Sequence, residues 1–247
     1  MANVSAESPV GRVVAEFPGA ARVFEGRGID YCCAGKLTIE RACAARGLDP
    51  AVLLREIAAV IEPLPGQLGP HMTEWPAAVL ADHIESTHHA FLKAELPRLS
   101  GIVAKVALAH GEGRPELCEL ATIFERFREE MEAHMMKEER VLFPWIRRLE
   151  RGGNGFPPWG IGSPIGCMEH EHEQAGAALA SMRALTNGFV PPANACATYR
   201  VMLASLEGLE RDTHSHVHKE NSILFPKAQK LEDSRRASAD SSSSGQG

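Results

Sequence analysis

The sequence predicts an all-α protein, an up-down four-helix bundle preceded by a small helical domain. Hydrophobic residues make up 44% of the chain and aromatic residues only 6%, a balance that favours helices over sheets. Four amphipathic segments lie between loops rich in proline and glycine, which is typical of an antiparallel bundle. The length of 247 residues exceeds that of one ordinary bundle and leaves room for a second domain.

The composition divides the chain into four parts. Residues 1–61 are predicted to form a small helical domain, in which Val10, Val13 and Phe17 have helical spacing and Asp49-Pro50 begins a helix. Residues 62–76, EPLPGQLGPHMTEWP, are predicted to be a linker because proline and glycine interrupt helices. The bundle and a disordered tail follow over 77–231 and 232–247. The four bundle helices are expected at about 77–99, 115–150, 165–186 and 194–231.

Charge and hydropathy argue against several functional classes. The net charge is −6 and no run of Lys and Arg stands out, so we expect no nucleic-acid partner. The apolar stretches are shorter than the roughly 20 residues that span a bilayer. The N-terminus lacks the features of a signal peptide, and six cysteines are sparse for a disulfide scaffold. These features together predict a cytoplasmic protein without a membrane anchor.

A duplicated motif carries the chemistry. The pattern H-x-x-K-E-x-x-V/I-L-F-P runs from His134 to Pro144 and again from His216 to Pro226. A repeat at similar places in the second and fourth helices indicates two equivalent structural elements.

Periodicity places the His and Glu of each repeat on the apolar side of its helix. On the second helix the predicted stripe is Leu117, Leu120, Phe124, Phe127, Met131, His134, Glu138, Val141 and Trp145. His216 and Glu220 occupy the same place on the fourth helix. A bare carboxylate is costly to bury unless it is paired, protonated or bound to a metal. An imidazole and a carboxylate one turn apart can reach the same ion.

The remaining ligands come from the first and third helices. His172 lies on the apolar stripe of the third helix, whereas periodicity does not choose between His88 and His89 on the first. Four histidines and two glutamates exceed the four ligands of a structural zinc site. They suit two non-haem iron ions, each with two imidazoles, bridged by both carboxylates and by an oxo or hydroxo group.

A ferritin-like arrangement is the alternative di-iron site. It uses two E-x-x-H motifs, and the chain contains Glu85-Ser-Thr-His88 and Glu169-His-Glu-His172. We rank it second because it leaves the repeated His134 and His216 without a role.

Cys32 and Cys33 form a second candidate site. They lie in a predicted turn between Tyr31 and Gly35, where an adjacent pair could serve as a redox pair or handle metal. Coincidental core packing is the alternative.

These motifs resemble the repair-of-iron-centres (RIC) family, di-iron proteins with a hemerythrin-like domain. The resemblance covers about residues 8–230 and rests on four motifs. They are Asp30-Tyr31-Cys32-Cys33-x-Gly35-Lys36, His134-Met-Met-Lys-Glu138-Glu, Glu171-His172-Glu-x-Ala-Gly176 and His216-x-x-x-Glu220-Asn. In this family the ligand histidine of the first helix stands eight residues before the proline of a Leu-Pro pair, which here implies His89. The family often has Tyr where this chain has His88, so His88 could be an extra ligand or a hydrogen-bond partner.

The resemblance implies repair of iron–sulfur clusters damaged by nitrosative or oxidative stress. It implies nitric oxide or dioxygen as small ligands and damaged iron–sulfur proteins as clients, and it is compatible with a homodimer. It leaves open whether the protein reduces nitric oxide as an enzyme or donates iron. A gas sensor or reservoir without turnover, and ferritin-like iron oxidation or storage, are the alternatives.

Overall fold

The computed structural model describes residues 4–61, 72–153 and 159–243. The chain divides into two compact units. The first comprises Met1–Leu80, Leu149–Asn154 and Val217–Gly247, and the second comprises Ala81–Arg148 and Gly155–His216. Most of the predicted linker, residues 62–71, lies outside the described residues, and Met72–Glu74 form a single 3₁₀ turn.

Four short helices lie within residues 4–61 of the first unit. They are α1 (Val10–Glu16), α2 (Ala20–Gly26), α3 (Ile39–Arg46) and α4 (Pro50–Ile61). Local sequence explains their ends. The Thr38 hydroxyl caps α3 by accepting from the amide of Arg41, and Gly47 ends it in the left-handed conformation at φ 65°. The predicted helix start at Asp49-Pro50 is confirmed, since the Asp49 carboxylate accepts from the amide of Ala51 at 2.9 Å.

The same unit includes the C-terminal end of the last helix. Its apolar core is built mainly from α1 to α4, and Val217 joins it. The side-chain amide of Asn221 donates to the carbonyl of Cys32 at 3.2 Å, which ties the cysteine turn to that helix. Gly11 and Gly35 pack closely enough that their hydrogen-bonded backbones leave little room for a side chain.

The predicted helical bundle supplies the whole of the second unit. Its helices are α5 (Ala77–Ile84), α6 (Ala90–His110), α7 (Glu116–Lys137), α8 (Phe143–Glu150), α9 (Gly162–Leu185) and α10 (Ala197–Lys219), and α11 (Phe225–Ser243) continues the last of these. The first residues of α5, the last residues of α8 and α10, and all of α11 are counted in the first unit. Apolar side chains from α6, α7, α9 and α10 form one continuous core. Two predicted boundaries differ from the structure. The first bundle helix continues past residue 99 to His110, because Leu99, Val103 and Val106 extend its buried stripe. Residues 232–243, predicted to be disordered, continue α11 as helix.

In the described part of the bundle, three π-helical turns interrupt the helices, and regular periodicity did not predict them. They are Glu85–His89, Glu138–Leu142 and Glu220–Leu224. Each π turn adds one residue to a helical turn, and such turns occur frequently at functional sites. Because of the extra residue, the buried side chains after Glu138 are Leu142, Phe143, Ile146 and Leu149. The prediction that Val141 and Trp145 continue the stripe was therefore wrong: Val141 is 55% exposed, and Trp145 is only partly buried.

Among the residues that the structure describes, no helix is both long enough and apolar enough to cross a bilayer.

Candidate metal centre

Five of the six predicted metal ligands lie together in the second unit. His89 ends the first π turn, His134 lies on α7, Glu138 begins the second π turn, His172 lies on α9 and His216 lies on α10. Each is at most 2% exposed. They face inward because each occupies a position on the apolar face of its helix.

The four imidazoles form two pairs around one carboxylate. Nε2 of His134 lies 3.1 Å from Nε2 of His172, and Nε2 of His89 lies 3.2 Å from Nε2 of His216. Oε2 of Glu138 lies 3.3 Å from Nε2 of both His134 and His89, and 4.0 Å from Nε2 of His216. The Glu138 carboxylate therefore lies between the two histidine pairs.

One histidine of each pair is oriented by a carboxylate on its other ring nitrogen. Nδ1 of His134 lies 2.9 Å from Oε2 of Glu171, which also binds Lys137. Nδ1 of His89 lies 2.8 Å from Oε1 of Glu139, which Lys93 contacts at 2.6 Å. An ionised carboxylate only accepts hydrogen bonds, so in each case Nδ1 carries the proton. The neutral ring then presents the lone pair of Nε2 to the interior.

The two supporting carboxylates are held in the ionised form. The hydrogen bond from His134 lowers the pKa of Glu171 to about 2, and Lys137 contributes in the same direction against the effect of burial. Burial acts to raise the pKa of Glu139, but hydrogen bonds from Lys93 and His89 outweigh it and lower that pKa. Both groups therefore remain acceptors at neutral pH.

The arrangement fits transition-metal ions. The lone pairs on His89 and His134 face other imidazole nitrogens and a carboxylate oxygen in a buried site, and these are donor atoms that transition-metal ions take. Metal–nitrogen bonds of about 2.1 Å that meet at a right angle separate two nitrogens by about 3.0 Å. The observed separations of 3.1 and 3.2 Å are close to this value. The donor atoms are thus already spaced as metal ligands.

Two family models match this chain. The hemerythrin HHE cation-binding domain matches residues 80–228, and the ScdA_N domain, a domain of unknown function, matches residues 6–61. The chain belongs to the hemerythrin HHE family. The predicted fold class and the resemblance to RIC proteins are confirmed, and binding of metal ions agrees with the cation-binding function of the HHE domain.

Similar proteins match this chain over nearly their full length. An iron-sulfur cluster repair protein ScdA from Staphylococcus haemolyticus is 34% identical over 224 residues, which cover 91% of this chain and 99% of the relative. Iron-sulfur cluster repair proteins YtfE from Edwardsiella ictaluri and Escherichia coli O157:H7 are 37% and 35% identical, each over 90% of this chain and 96% of the relative.

Within the HHE domain, the sixth predicted ligand follows His216 by one helical turn. Glu220 is completely buried and begins the π turn that continues α10. Glu138 likewise follows His134 by one turn and begins a π turn on its own helix. The sequence repeat is therefore also a structural repeat.

His88 of the HHE domain is buried but is not grouped with the candidate ligands. Its Nδ1 lies 2.8 Å from Oδ1 of Asp212. Its ring stacks on that of His216, with 5.5 Å between centroids and 7° between planes. Both His88 and His89 are inward because the first π turn gathers them on one side, which explains why periodicity could not choose between them. His89, and not His88, belongs to the groups of ligand atoms that lie within 4.8 Å of one another.

The ferritin-like alternative does not match the observed groups. Oε2 of Glu85 lies 2.6 Å from the guanidinium of Arg147, and Glu169 is only partly buried on α9. Within the described part of the chain, neither belongs to the groups that bring His and Glu ligand atoms together. The structure thus favours the arrangement built on the sequence repeat.

Cys32 and Cys33 lie in the ScdA_N domain of the first unit. Cys32 is 3% exposed and Cys33 is partly buried, and their sulfur atoms are 3.7 Å apart without a disulfide. The structure therefore places the two predicted thiols side by side, and they are not joined by a disulfide.

A small cavity lies beside His134 in the HHE domain. It has a volume of about 140 Å³, and its lining includes Phe127, Met131, Ala175, Glu171 and Lys137. The cavity places apolar surface and one ion pair next to a candidate ligand.

The supporting groups Glu139, Glu171, Lys93 and Lys137 were given no role from the sequence. Three of them, Lys137, Glu139 and Glu171, stand within the quoted motifs, which was the available signal. The partners of His89 and His134 lie 50 and 37 residues away along the chain, which periodicity cannot reveal.

Proposed function

We propose that this protein binds two iron ions and takes part in the repair of iron–sulfur clusters damaged by nitrosative or oxidative stress. His134 and His172 would hold one ion and His89 and His216 the other, with the Glu138 carboxylate shared between them. The repair role rests on relatives that are named iron-sulfur cluster repair proteins and that match nearly the whole chain.

The position of Glu138 between two histidine pairs carries the proposal of two ions. Oε2 of Glu138 lies 3.3 Å from one histidine of each pair. A single ion bound at one pair would leave the other histidine pair without a role. Two ions that share this carboxylate use all four imidazoles.

Glu220 is proposed as the second bridging carboxylate. Its complete burial, its place one turn after His216 and its equivalence to Glu138 in the repeat support this role. A buried carboxylate on the inward side of a helix is stable when a cation balances its charge.

The chemistry proposed for the centre is the removal of nitric oxide or the supply of iron. Two ferrous ions can supply two electrons, and two molecules of nitric oxide take up two electrons and two protons to give nitrous oxide and water. The protein's own residues exclude water from the centre and hold Nε2 of His89 and His134 toward the metal. Damaged iron–sulfur proteins are the proposed clients, and a cytoplasmic location stays a prediction.

Metal analysis with Mössbauer spectroscopy tests the di-iron site. The anaerobically purified chain should contain two irons, and the oxidised form should show magnetic coupling between them. His172→Leu should lower the iron content, whereas the matched control His170→Leu should retain it, because the side chain of His170 is 68% exposed on the same helix. Equal iron in both variants would exclude His172 as a ligand.

Activity assays on the loaded protein distinguish the candidate functions. We expect the reduced protein to convert nitric oxide to nitrous oxide or to restore activity to a nitric-oxide-damaged [4Fe–4S] enzyme. Reversible gas binding without product or repair would indicate a sensor or reservoir. Oxidation of many ferrous ions per chain would indicate ferritin-like storage.

Redox exchange by Cys32 and Cys33 also stays a prediction. Closing a disulfide requires the sulfurs to approach from 3.7 Å to about 2.0 Å. Thiol titration before and after mild oxidation measures whether the pair forms such a bond.

A further inference from the structure

The turn around Cys32 and Cys33 gathers three metal-binding side chains on one side. Oδ1 of Asp30 accepts hydrogen bonds from the backbone amides of Cys32 and Cys33, each at 2.9 Å. The same oxygen accepts a hydrogen bond from the Cys32 thiol, with Sγ at 3.1 Å. One ligand atom from each of the three residues lies within 4.8 Å of the others. The backbone of the turn thus positions a carboxylate beside two thiols.

The separation of the sulfurs is that of two thiolates on one tetrahedral ion. Metal–sulfur bonds of about 2.3 Å at the tetrahedral angle separate two sulfurs by about 3.8 Å. The observed distance between Sγ of Cys32 and Sγ of Cys33 is 3.7 Å. A metal–oxygen bond of about 2.0 Å places a carboxylate oxygen about 3.5 Å from each sulfur. Oδ1 of Asp30 needs to move only a few tenths of an ångström from Sγ of Cys32 to reach that distance.

Other uses of the pair fit the turn less well. Adjacent residues have Cα atoms about 3.8 Å apart, below the usual range for disulfides. The turn is also held in place, since Asn221 donates to the carbonyl of Cys32 and the ring of Tyr31 packs edge-on against His218 at 5.4 Å.

We propose that Asp30, Cys32 and Cys33 form a second metal site, which takes a single thiophilic divalent cation such as Fe²⁺ or Zn²⁺. Binding replaces the two thiol protons, which are released to solvent, and leaves a fourth position for water. Asp30 is exposed, so that position opens to solvent and the ion can exchange. This site shares no ligand with the His and Glu residues of the HHE domain, and it does not depend on the proposed repair function.

Cobalt titration of the full-length reduced chain under argon tests this site. Co²⁺ bound by thiolates absorbs in the near ultraviolet through sulfur-to-cobalt charge transfer, whereas Co²⁺ bound by imidazoles and carboxylates does not. We expect this band to grow until a single cobalt ion is bound through sulfur in each chain. Release of two protons per ion, measured in weak buffer, should accompany it.

Variants assign the band to these residues. Cys33→Ser should abolish it, and Asp30→Asn should weaken cobalt affinity by about tenfold or more. The triple variant Cys118→Ser, Cys167→Ser, Cys196→Ser should leave the band unchanged, because these exposed cysteines lie elsewhere in the chain. Circular dichroism checks that each variant is folded.

Two results would overturn the proposal. One is the absence of a charge-transfer band in the reduced wild-type chain, and the other is a band that persists in folded Cys33→Ser. The iron content of the HHE domain in Cys33→Ser is a separate readout. It should equal that of the wild type, so a failure of this second site is distinguishable from a failure of the di-iron proposal.

Discussion

Phe143 and Glu138 are joined by a hydrogen bond from the backbone amide of Phe143 to the carbonyl of Glu138, five residues earlier. Phe225 bonds to Glu220 in the same way, and Ala90 bonds to Glu85. Each of these π turns begins or ends at a candidate metal ligand: the turns begin at Glu138 and Glu220, and the remaining one ends at His89. The π turn lets the ligand and the buried side chains after it face the same side.

Deletion of Val141 tests this geometry. Without that residue, Leu142, Phe143 and Ile146 would follow Glu138 at the regular spacing of three, four and seven residues. We expect a loss of about 1–3 kcal/mol in the free energy of unfolding, with helicity retained, because the core faces stay aligned.

The matched control is deletion of Glu129, which is 71% exposed on α7. That deletion turns all following residues of the helix by about 100° and should prevent folding. Urea unfolding and circular dichroism measure both. Equal damage in the two deletions would contradict the role assigned to the π turn.

Replacing His88 and His89 one at a time distinguishes the candidate ligand His89 from its neighbour His88. His89→Phe should lose iron, since Nε2 of His89 faces His216 and Glu138. His88→Phe should retain two irons but lower the melting temperature, because Asp212 loses the partner that Nδ1 of His88 provides at 2.8 Å. Iron analysis and thermal unfolding give the two readouts. Iron loss in folded His88→Phe equal to that in His89→Phe would make His88 a ligand.

Glu171→Gln should weaken metal binding at His134. The neutral amide no longer favours the proton on Nδ1 of His134, so the lone pair on Nε2 is less firmly presented. We expect affinity for the ion at this histidine to fall by about 10–100-fold. Competition with a chelator measures the change. Glu173→Gln is the control, because its side chain is 69% exposed on the same helix, and it should behave as wild type.

Alkylation of the metal-free protein should distinguish Cys32 from the surface cysteines. Only the thiolate reacts, and the pKa of Cys32 is raised by the neighbouring Cys33 thiol, by burial and by Asp30. Iodoacetamide near neutral pH should therefore label Cys118, Cys167 and Cys196 well before Cys32, and labelling of Cys32 should rise only at strongly alkaline pH. Peptide mass spectrometry follows each site. Labelling of Cys32 as fast as the exposed thiols would contradict the buried turn.

Gly35→Ala should destabilise the N-terminal domain. A Cβ atom at Gly35 would lie 2.7 Å from the carbonyl oxygen of Tyr31 and 3.3 Å from Cα of Gly11, so the backbone must shift. We expect a loss of about 1–3 kcal/mol in urea unfolding. Gly26→Ala is the control, since a Cβ there would meet nothing within 4 Å. A loss in Gly35→Ala no larger than in the control would show that the turn yields easily.

Much of the fold and of the centre was predictable from the chain. On α9, regular periodicity was enough to predict the apolar stripe, whose members are all buried: Ile165, Met168, His172, Ala175, Leu179 and Met182. The duplicated motif singled out His134 and Glu138 as candidate ligands, because a carboxylate at an apolar position is costly to bury without a partner, and both residues are buried. The prediction failed at Val141 and Trp145. The π turn Glu138–Leu142 contains one residue more than an α-helical turn, so the α-helical period no longer gives the buried positions after it.

Residue type and spacing along each helix are properties of the local chain, and so the kinds of ligand, their one-turn separation and the all-α class could be read from it. The choice of His89, the placing of Glu138 between two histidine pairs, and the supporting Glu139 and Glu171 depended on how the helices pack. These relationships join residues that are tens of positions apart, and their distances are set by the shared core and not by any local period.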